Sequence, residues 1–249
     1  MGRNRRVLTT YFTSKKDPQR GDFKDNNADS RVCPFIPSAE KHGLNVIIFN
    51  DALSEQFKDK WGSNLIEFCN IPLEEVSGSS YSVNDLRYFI WKDYIESNSE
   101  IEEILLVDLF DVEFWGNPFE LIEQMPDIKI FTGGTNNENL IGKKGHIRAK
   151  MRAKYGKVYF GDKMAVGAGT IMGRREPMLT LLNRMVEDFK APLKGKPTKM
   201  RNYNMGVFNH ALYDLFSDEE LLVGYPFTSR FGKREEWDED NNRFYLKHK

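Results

Sequence analysis

Short apolar runs alternate along the chain with stretches of helical periodicity. "RVLTTYF", residues 6–12, and "LNVIIFND", 44–51, read as strands, the second entered after Gly43 closes a short helical stretch. "LIEFCNI", 65–71, is a third. In "SVNDLRYFIWKDYIESN", 82–98, Leu86, Phe89, Ile90 and Ile95 fall at helical spacing behind Ser82 as the N-cap. That helix runs into the aliphatic run Ile104, Leu105, Leu106 and Val107. An unbroken run is what a strand needs when both of its faces are covered, since successive side chains point to opposite sides. Strand, helix and strand in alternation imply an α/β fold: a mostly parallel central sheet with helices on both faces.

The pattern continues downstream. Pro118 starts a short helix, "FELIEQM", and "DIKIFTGG" returns to the sheet and ends in a glycine turn. "AVGAGTIMG" is a strand in which Gly167 and Gly169 imply close approach of another backbone or a ligand. "EPMLTLLNRMVEDF" and "NYNMGVFNHALYDLF" read as helices, "APLKGKPTK" as a loop and "RFYLKHK", 243–249, as a last strand. The stretch "IGKKGHIRAKMRAKYGK", 141–157, holds seven Lys or Arg, one His and no acid. As a helix it would set Lys144, Arg148 and Arg152 on one face, where like charges repel. It reads as a solvated mobile loop, or as a lid or anchor for an anionic ligand.

A chain of 249 residues can bury a substantial core, and we read residues 1–249 as one domain. Basic and acidic residues balance, 36 against 37, so any anion binding is local and a nucleic-acid partner is not expected. Cys33 and Cys69 match no metal-ligand or disulfide pattern and read as small buried hydrophobes. The opening "MGRNRRVLTTYF" has no signal-peptide character, and Arg6 stands where a myristoylation signal places Ser or Thr. No apolar run is long enough for a membrane span, so a soluble, cytoplasmic protein is expected.

The aliphatic run ends in Asp108 and Asp111. In an open parallel sheet, ligands gather beyond the carboxyl ends of the strands. Two carboxylates turned to one point there would favour Mg²⁺ or Mn²⁺, which leave positions for water and phosphate oxygens. The plainer alternative is that Asp108 caps the loop and Asp111 is solvated. A dehalogenase-type phosphotransferase needs two aspartates two residues apart, which this spacing does not give, and no P-loop motif occurs.

"LLVDLFDVEFWGNPFE" with the preceding "NDLRYFIWKDYI" resembles the strand and metal motif of GT-A-fold nucleotide-sugar glycosyltransferases. The D-x-x-D spacing is that of the glycosyltransferase domain of procollagen lysyl hydroxylases. "VLTTYFTSKKDPQR", "AVGAGTIMG" and "NYNMGVFNHALY" extend the similarity over most of the chain, and compact transferases of large DNA viruses are similar too. The resemblance implies a nucleotide-binding half, 1–115, and an acceptor-side half, 116–249. It implies a divalent ion, Mn²⁺ or Mg²⁺, on Asp108 and Asp111, a UDP-linked sugar donor, and a glycan or glycoprotein acceptor. Thr9, Thr10 and Tyr11 would line the base and ribose pocket, and Asp85 and Arg87 would reach donor hydroxyls and phosphate. A late histidine, His248, would be the third metal ligand, with Lys249 beside the diphosphate. Departures are Asn204-Met205 in place of Asp-Gln or Asp-Met, and Val166-Gly167-Ala168-Gly169 in place of an Asn-Ala-Gly stretch. Asp162 is a candidate general base. The rival functions are a nucleotidyltransferase of sugar phosphates and a noncatalytic binding domain on the same fold.

Overall fold

The structure is a computed structural model that describes residues 4–18, 21–23, 28–76, 81–135, 139–198, 201–231 and 244–248. Nine strands occur there: β1 (Arg5–Tyr11), β2 (Val46–Asn50), β3 (Ile66–Asn70), β4 (Glu103–Val107), β5 (Val112–Phe114), β6 (Ile130–Gly134), β7 (Val166–Arg174), β8 (Leu221–Val223) and β9 (Leu246–His248). The helices are α1 (Asp29–Val32), α2 (Phe35–Lys41), α3 (Glu55–Trp61), α4 (Val83–Ser97), α5 (Glu120–Gln124), α6 (Gly145–Tyr155), α7 (Arg175–Lys190) and α8 (Asn204–Leu215). Seven strands form one sheet in the order β3-β2-β1-β4-β7-β6-β8, and β5 pairs with β9 in a separate two-stranded sheet. The neighbours β3-β2, β2-β1, β1-β4 and β6-β8 are parallel, whereas β7 runs antiparallel to both β4 and β6.

The period of two explains why β4 is aliphatic throughout. Ile104 and Leu106 join one core with Leu86, Phe89, Leu181 and Phe208 of α4, α7 and α8. Leu105 and Val107 join the other, with Phe35 of α2, Phe57 of α3, Phe131 of β6 and Met172 of β7. Each fully buried aliphatic side chain contributes about 1.5–3 kcal/mol relative to exposure, so both faces of the sheet are held by the same short run.

Ser82 caps α4 as expected, its side chain accepting from the Asp85 backbone N–H at 3.2 Å. The basic stretch departs from its reading as a loop, because residues 145–155 are helical. Its buried face is Ile147, Lys150, Met151 and Lys154, at spacings of three, four and seven. Two lysines in that stripe hid the periodicity. Arg148 and Arg152 lie on the exposed face, and Gly156 ends the helix at φ 78°. The cysteines also differ from expectation: Cys33 is exposed just past α1 and Cys69 is half-buried, both as free thiols. No helix among the described residues is long and apolar enough to cross a membrane.

Asp85 joins two helices. Its side chain is fully buried, and its carboxylate accepts from the backbone N–H groups of Tyr203, at 3.1 Å, and Asn204, at 2.7 Å. These are donors that the first turn of α8 cannot satisfy internally, so a residue of α4 caps α8 from outside its own sequence. Burial pushes the Asp85 pKa up to about 6, against the opposing pull of the hydrogen bonds from Tyr203, Ser82 and Asn204.

A folded-state pKa above the unfolded value of about 3.9 means that the native state holds the proton more tightly. The Asp85 contribution to stability is therefore full below about pH 4 and lost as pH rises through about 6. Relative to Asp85→Asn, the wild-type protein should lose roughly 3 kcal/mol between pH 4 and pH 7. Urea midpoints of both proteins across that range check this, and parallel curves would contradict it.

Candidate functional site

The sheet reverses its direction of winding at β1. The chain adds β2 and β3 on one side of it and β4 on the other, which makes the crevice beyond the carboxyl ends of β1 and β4 the switch point where ligands bind in open α/β sheets. A cavity of about 260 Å³ opens there, with Thr10, Arg87, Asp108, Asp111, Gly169 and His248 among its lining residues.

Asp108 is placed by backbone pairing. Its N–H donates to the Gly169 carbonyl at 2.8 Å, which continues the β4-β7 ladder one step past Val107. A Cβ on Gly169 would come within 2.6 Å of Asp108 Oδ2 and 3.0 Å of His248 Nε2. The absent side chain thus leaves room for these two groups to converge. His248 arrives on β9, opposite Val112 of β5 in the ladder. Its N–H donates to Ser229 Oγ at 2.9 Å, and its ring meets Phe231 edge-on at 5.0 Å. Burial lowers the His248 pKa, with Asp108 opposing and Arg87 reinforcing the shift. The ring is therefore neutral at neutral pH, and one of its nitrogens keeps a lone pair.

The Arg87 guanidinium comes up from α4. It pairs with Asp108 Oδ1 and donates to the Tyr88 hydroxyl and the Ala168 carbonyl, each at 3.1 Å. Burial works against its charge, but Asp108 and Tyr88 outweigh it and the pKa moves up. Among the described residues, no three His, Cys, Asp or Glu side chains are grouped closely enough to hold a metal ion. A carboxylate oxygen of Asp108 and the imidazole of His248 do converge over Gly169, and Asp111 lines the same cavity. The carboxylates suit Mn²⁺ or Mg²⁺ and leave positions for ligand oxygens, and the imidazole nitrogen favours Mn²⁺ of the two.

The other expected residues divide. Thr10 lines the cavity. Thr9 is fully buried and donates to the Val107 carbonyl at 2.8 Å, and Tyr11 is fully buried against Phe57 and Phe110. Neither is among the residues lining the cavity. Asp85 is fully buried with its carboxylate bonded to the first turn of α8, and it is not among the residues lining the cavity. Lys249 lies outside the described residues. His146 lines the cavity, His42 follows α2, and His210 stacks on Tyr155 at 4.1 Å with Nδ1 3.2 Å from Asp188. Asp162 is exposed and is not part of the cavity lining. Lys144 and Lys150, in the stretch read as a loop or as a lid or anchor for an anionic ligand, line the cavity, as do Phe110 and Phe231, which were not anticipated. For Lys150 the signal was present, in its place on the stripe with Ile147 and Met151.

No protein-family model and no curated protein matches this chain. Solved structures do. The galactosyltransferase LgtC in complex with donor and acceptor sugar analogs aligns over 98% of this chain and 86% of its own, at 11% identity and a TM-score of 0.51. An active-site mutant of LgtC aligns over the same shares at 12% identity and a TM-score of 0.52. At such identity the likeness speaks for the backbone alone, and on it this chain has a GT-A-type fold, the mixed α/β architecture of the LgtC galactosyltransferase.

Proposed function

We propose that this protein is a metal-dependent glycosyltransferase that moves a sugar from a UDP-linked donor to a hydroxyl of a glycan or glycoprotein acceptor. The observation that carries the reading is the convergence of Asp108 Oδ2 and His248 Nε2 over Gly169, inside the cavity at the sheet's switch point. The fold shared with LgtC supports it, as does the D-x-x-D spacing that resembles the procollagen lysyl hydroxylase transferase domain.

Asp108, Asp111 and His248 would hold Mn²⁺ or Mg²⁺. The ion supplies Lewis-acid stabilisation of the charge that develops on the departing diphosphate. The remaining work belongs to the chain's own side chains. Arg87 takes one oxygen of Asp108 and so fixes which oxygen, Oδ2, faces Gly169 and His248. Burial keeps His248 neutral. Thr10, at the end of β1, lines the nucleotide side of the cavity, and Phe110 and Phe231 give it apolar walls.

Incubating the protein with a panel of UDP-sugars and Mn²⁺ tests the reading, with Mn²⁺-dependent release of UDP as the expected result. Formation of a nucleotide sugar from a nucleoside triphosphate and a sugar phosphate would indicate nucleotidyl transfer instead. Asp111→Asn is expected to leave stability within about 0.5 kcal/mol while turnover falls by on the order of 10²-fold or more, the scale of losing one charge-stabilising group. Near-wild-type Mn²⁺-dependent turnover in this variant would remove Asp111 from the site. His248→Ala should weaken Mn²⁺-dependent UDP binding more than His210→Ala. The latter should instead cost stability, roughly 1–3 kcal/mol, by leaving Asp188 and Tyr155 short of a partner. Calorimetric titrations and thermal melts of the two variants decide between the histidines, and the reverse order would exclude His248.

A further inference from the structure

The buried face of α6 carries two lysines in contrasting surroundings. Lys154 is 3% exposed and donates to the main-chain carbonyls of Phe189 and Ala191, at the C-terminal end of α7. Its charge meets the negative end of a helix, a structural role that is complete without a ligand. Lys150, one turn earlier, is 5% exposed and lines the cavity. Among the described residues its ammonium has a single hydrogen-bond partner, the Asn204 side-chain oxygen at 3.3 Å, and no carboxylate within ion-pair distance. An ammonium has three donors. Burying one with so little compensation is costly.

The surroundings add to that cost. α6 and α8 cross closely at Gly206, where a Cβ would lie 3.0 Å from the Lys150 Cβ and from the Met151 amide nitrogen. The Cβ end of the lysine is thereby held against α8, and its ammonium is directed along the α6-α8 contact to Asn204. Burial pushes the Lys150 pKa down to about 8, with Asp85 opposing and Arg87 adding to the shift. Asp85 does not neutralise it, because that carboxylate is spent on the N–H groups of Tyr203 and Asn204. Lys144 and His146, from the start of the same helix, line the cavity too, and the pKa of each is lowered, first by burial and, for His146, next by the two lysines. Three cationic or potentially cationic groups of one helix thus face one cavity, in a stretch of seventeen residues, 141–157, that contains no acid.

We propose that Lys150 anchors an anion subsite, supported by Lys144 and His146, that binds an anionic oxygen group of the ligand at a position separate from the Asp108 and His248 pair. The assignment rests on the glycosyltransferase reading for the identity of the ligand. There the group is either a phosphate oxygen of the donor or a carboxylate on its sugar. Separation from the Asp108 and His248 pair follows from the neighbours: Lys150 bonds Asn204 of α8, whereas Asp108 and His248 meet over β7.

The test uses the full chain and two variants. Lys150→Met keeps the length of the stem and removes the charge, and Asn204→Asp keeps the shape and supplies the missing carboxylate. Titrations with pyrophosphate, UDP-glucose and UDP-glucuronate are compared with wild type, alongside thermal melts. Loss of one charge-assisted hydrogen bond corresponds to about tenfold or more in Kd, and both variants should show it. Weakening of all three ligands assigns the subsite to phosphate, and weakening of UDP-glucuronate alone assigns it to a sugar carboxylate. The subsite is overturned if wild type binds none of the three, if both variants bind all three as wild type does, or if only Lys150→Met is impaired. The parent reading fails separately: pyrophosphate binding that depends on Lys150, with no UDP-sugar binding and no effect of Asp108→Asn, keeps the subsite and removes the transferase.

Discussion

The guanidinium of Arg87 ties three elements together under the cavity. It leaves α4, meets Asp108 at the end of β4, and donates to the carbonyl of Ala168 in β7, beside which the Tyr88 hydroxyl donates to the same carbonyl at 3.1 Å. Arg87 is 6% exposed, so its charge is out of water and depends on these partners. Breaking a buried pair by removing one member costs more than the pair itself contributes, because the survivor is left uncompensated. The orientation of the Asp108 carboxylate is therefore set by the fold, and the one oxygen left facing Gly169 is a consequence of that pairing.

A second set of contacts passes from α4 through α8 to α6. Asp85 holds the first turn of α8, Asn204 in that turn accepts from Lys150, and Asn209 further along donates to the Val166 carbonyl while accepting from the Val166 N–H, both at 2.9 Å. The three helices and β7 are thus joined by buried polar groups as well as by the apolar core. Such groups are stable only when their partners are in place, which fixes the register of α8 more narrowly than hydrophobic packing alone would.

Most of the sheet and the principal helices were legible in the sequence because periodicity reports burial. β1 to β4, β6, β7, α4, α7 and α8 all follow from runs or spacings of apolar residues. α6 was not legible as a helix, since lysines occupy two places on its buried stripe and their reasons for being there, the α7 carbonyls and Asn204, are distant in sequence. Asp108 could be singled out as a carboxylate after a buried strand. Its meeting with His248 could be inferred only through resemblance, because 139 residues lie between the aspartate and the histidine and no local pattern encodes a long-range pairing. The capping of α8 by Asp85 was not legible for the same reason as α6, its partners lying in another helix.

The ladder that carries His248 is small. β5 and β9 pair over three residues, Val112 with His248, Glu113 with Lys247 and Phe114 with Leu246, and the opposite edge of β9 is met by Phe227 and Ser229. Elements of this size open at lower free energy than the body of a seven-stranded sheet. The histidine side of the cavity thus rests on a smaller set of backbone pairs than the aspartate side. A ligand that bridges Asp108 and His248 favours the paired ladder over any opened form by its own binding free energy. Occupancy and local stability become one equilibrium, so amide protection along β9 would report on ligand more sensitively than any global unfolding measurement.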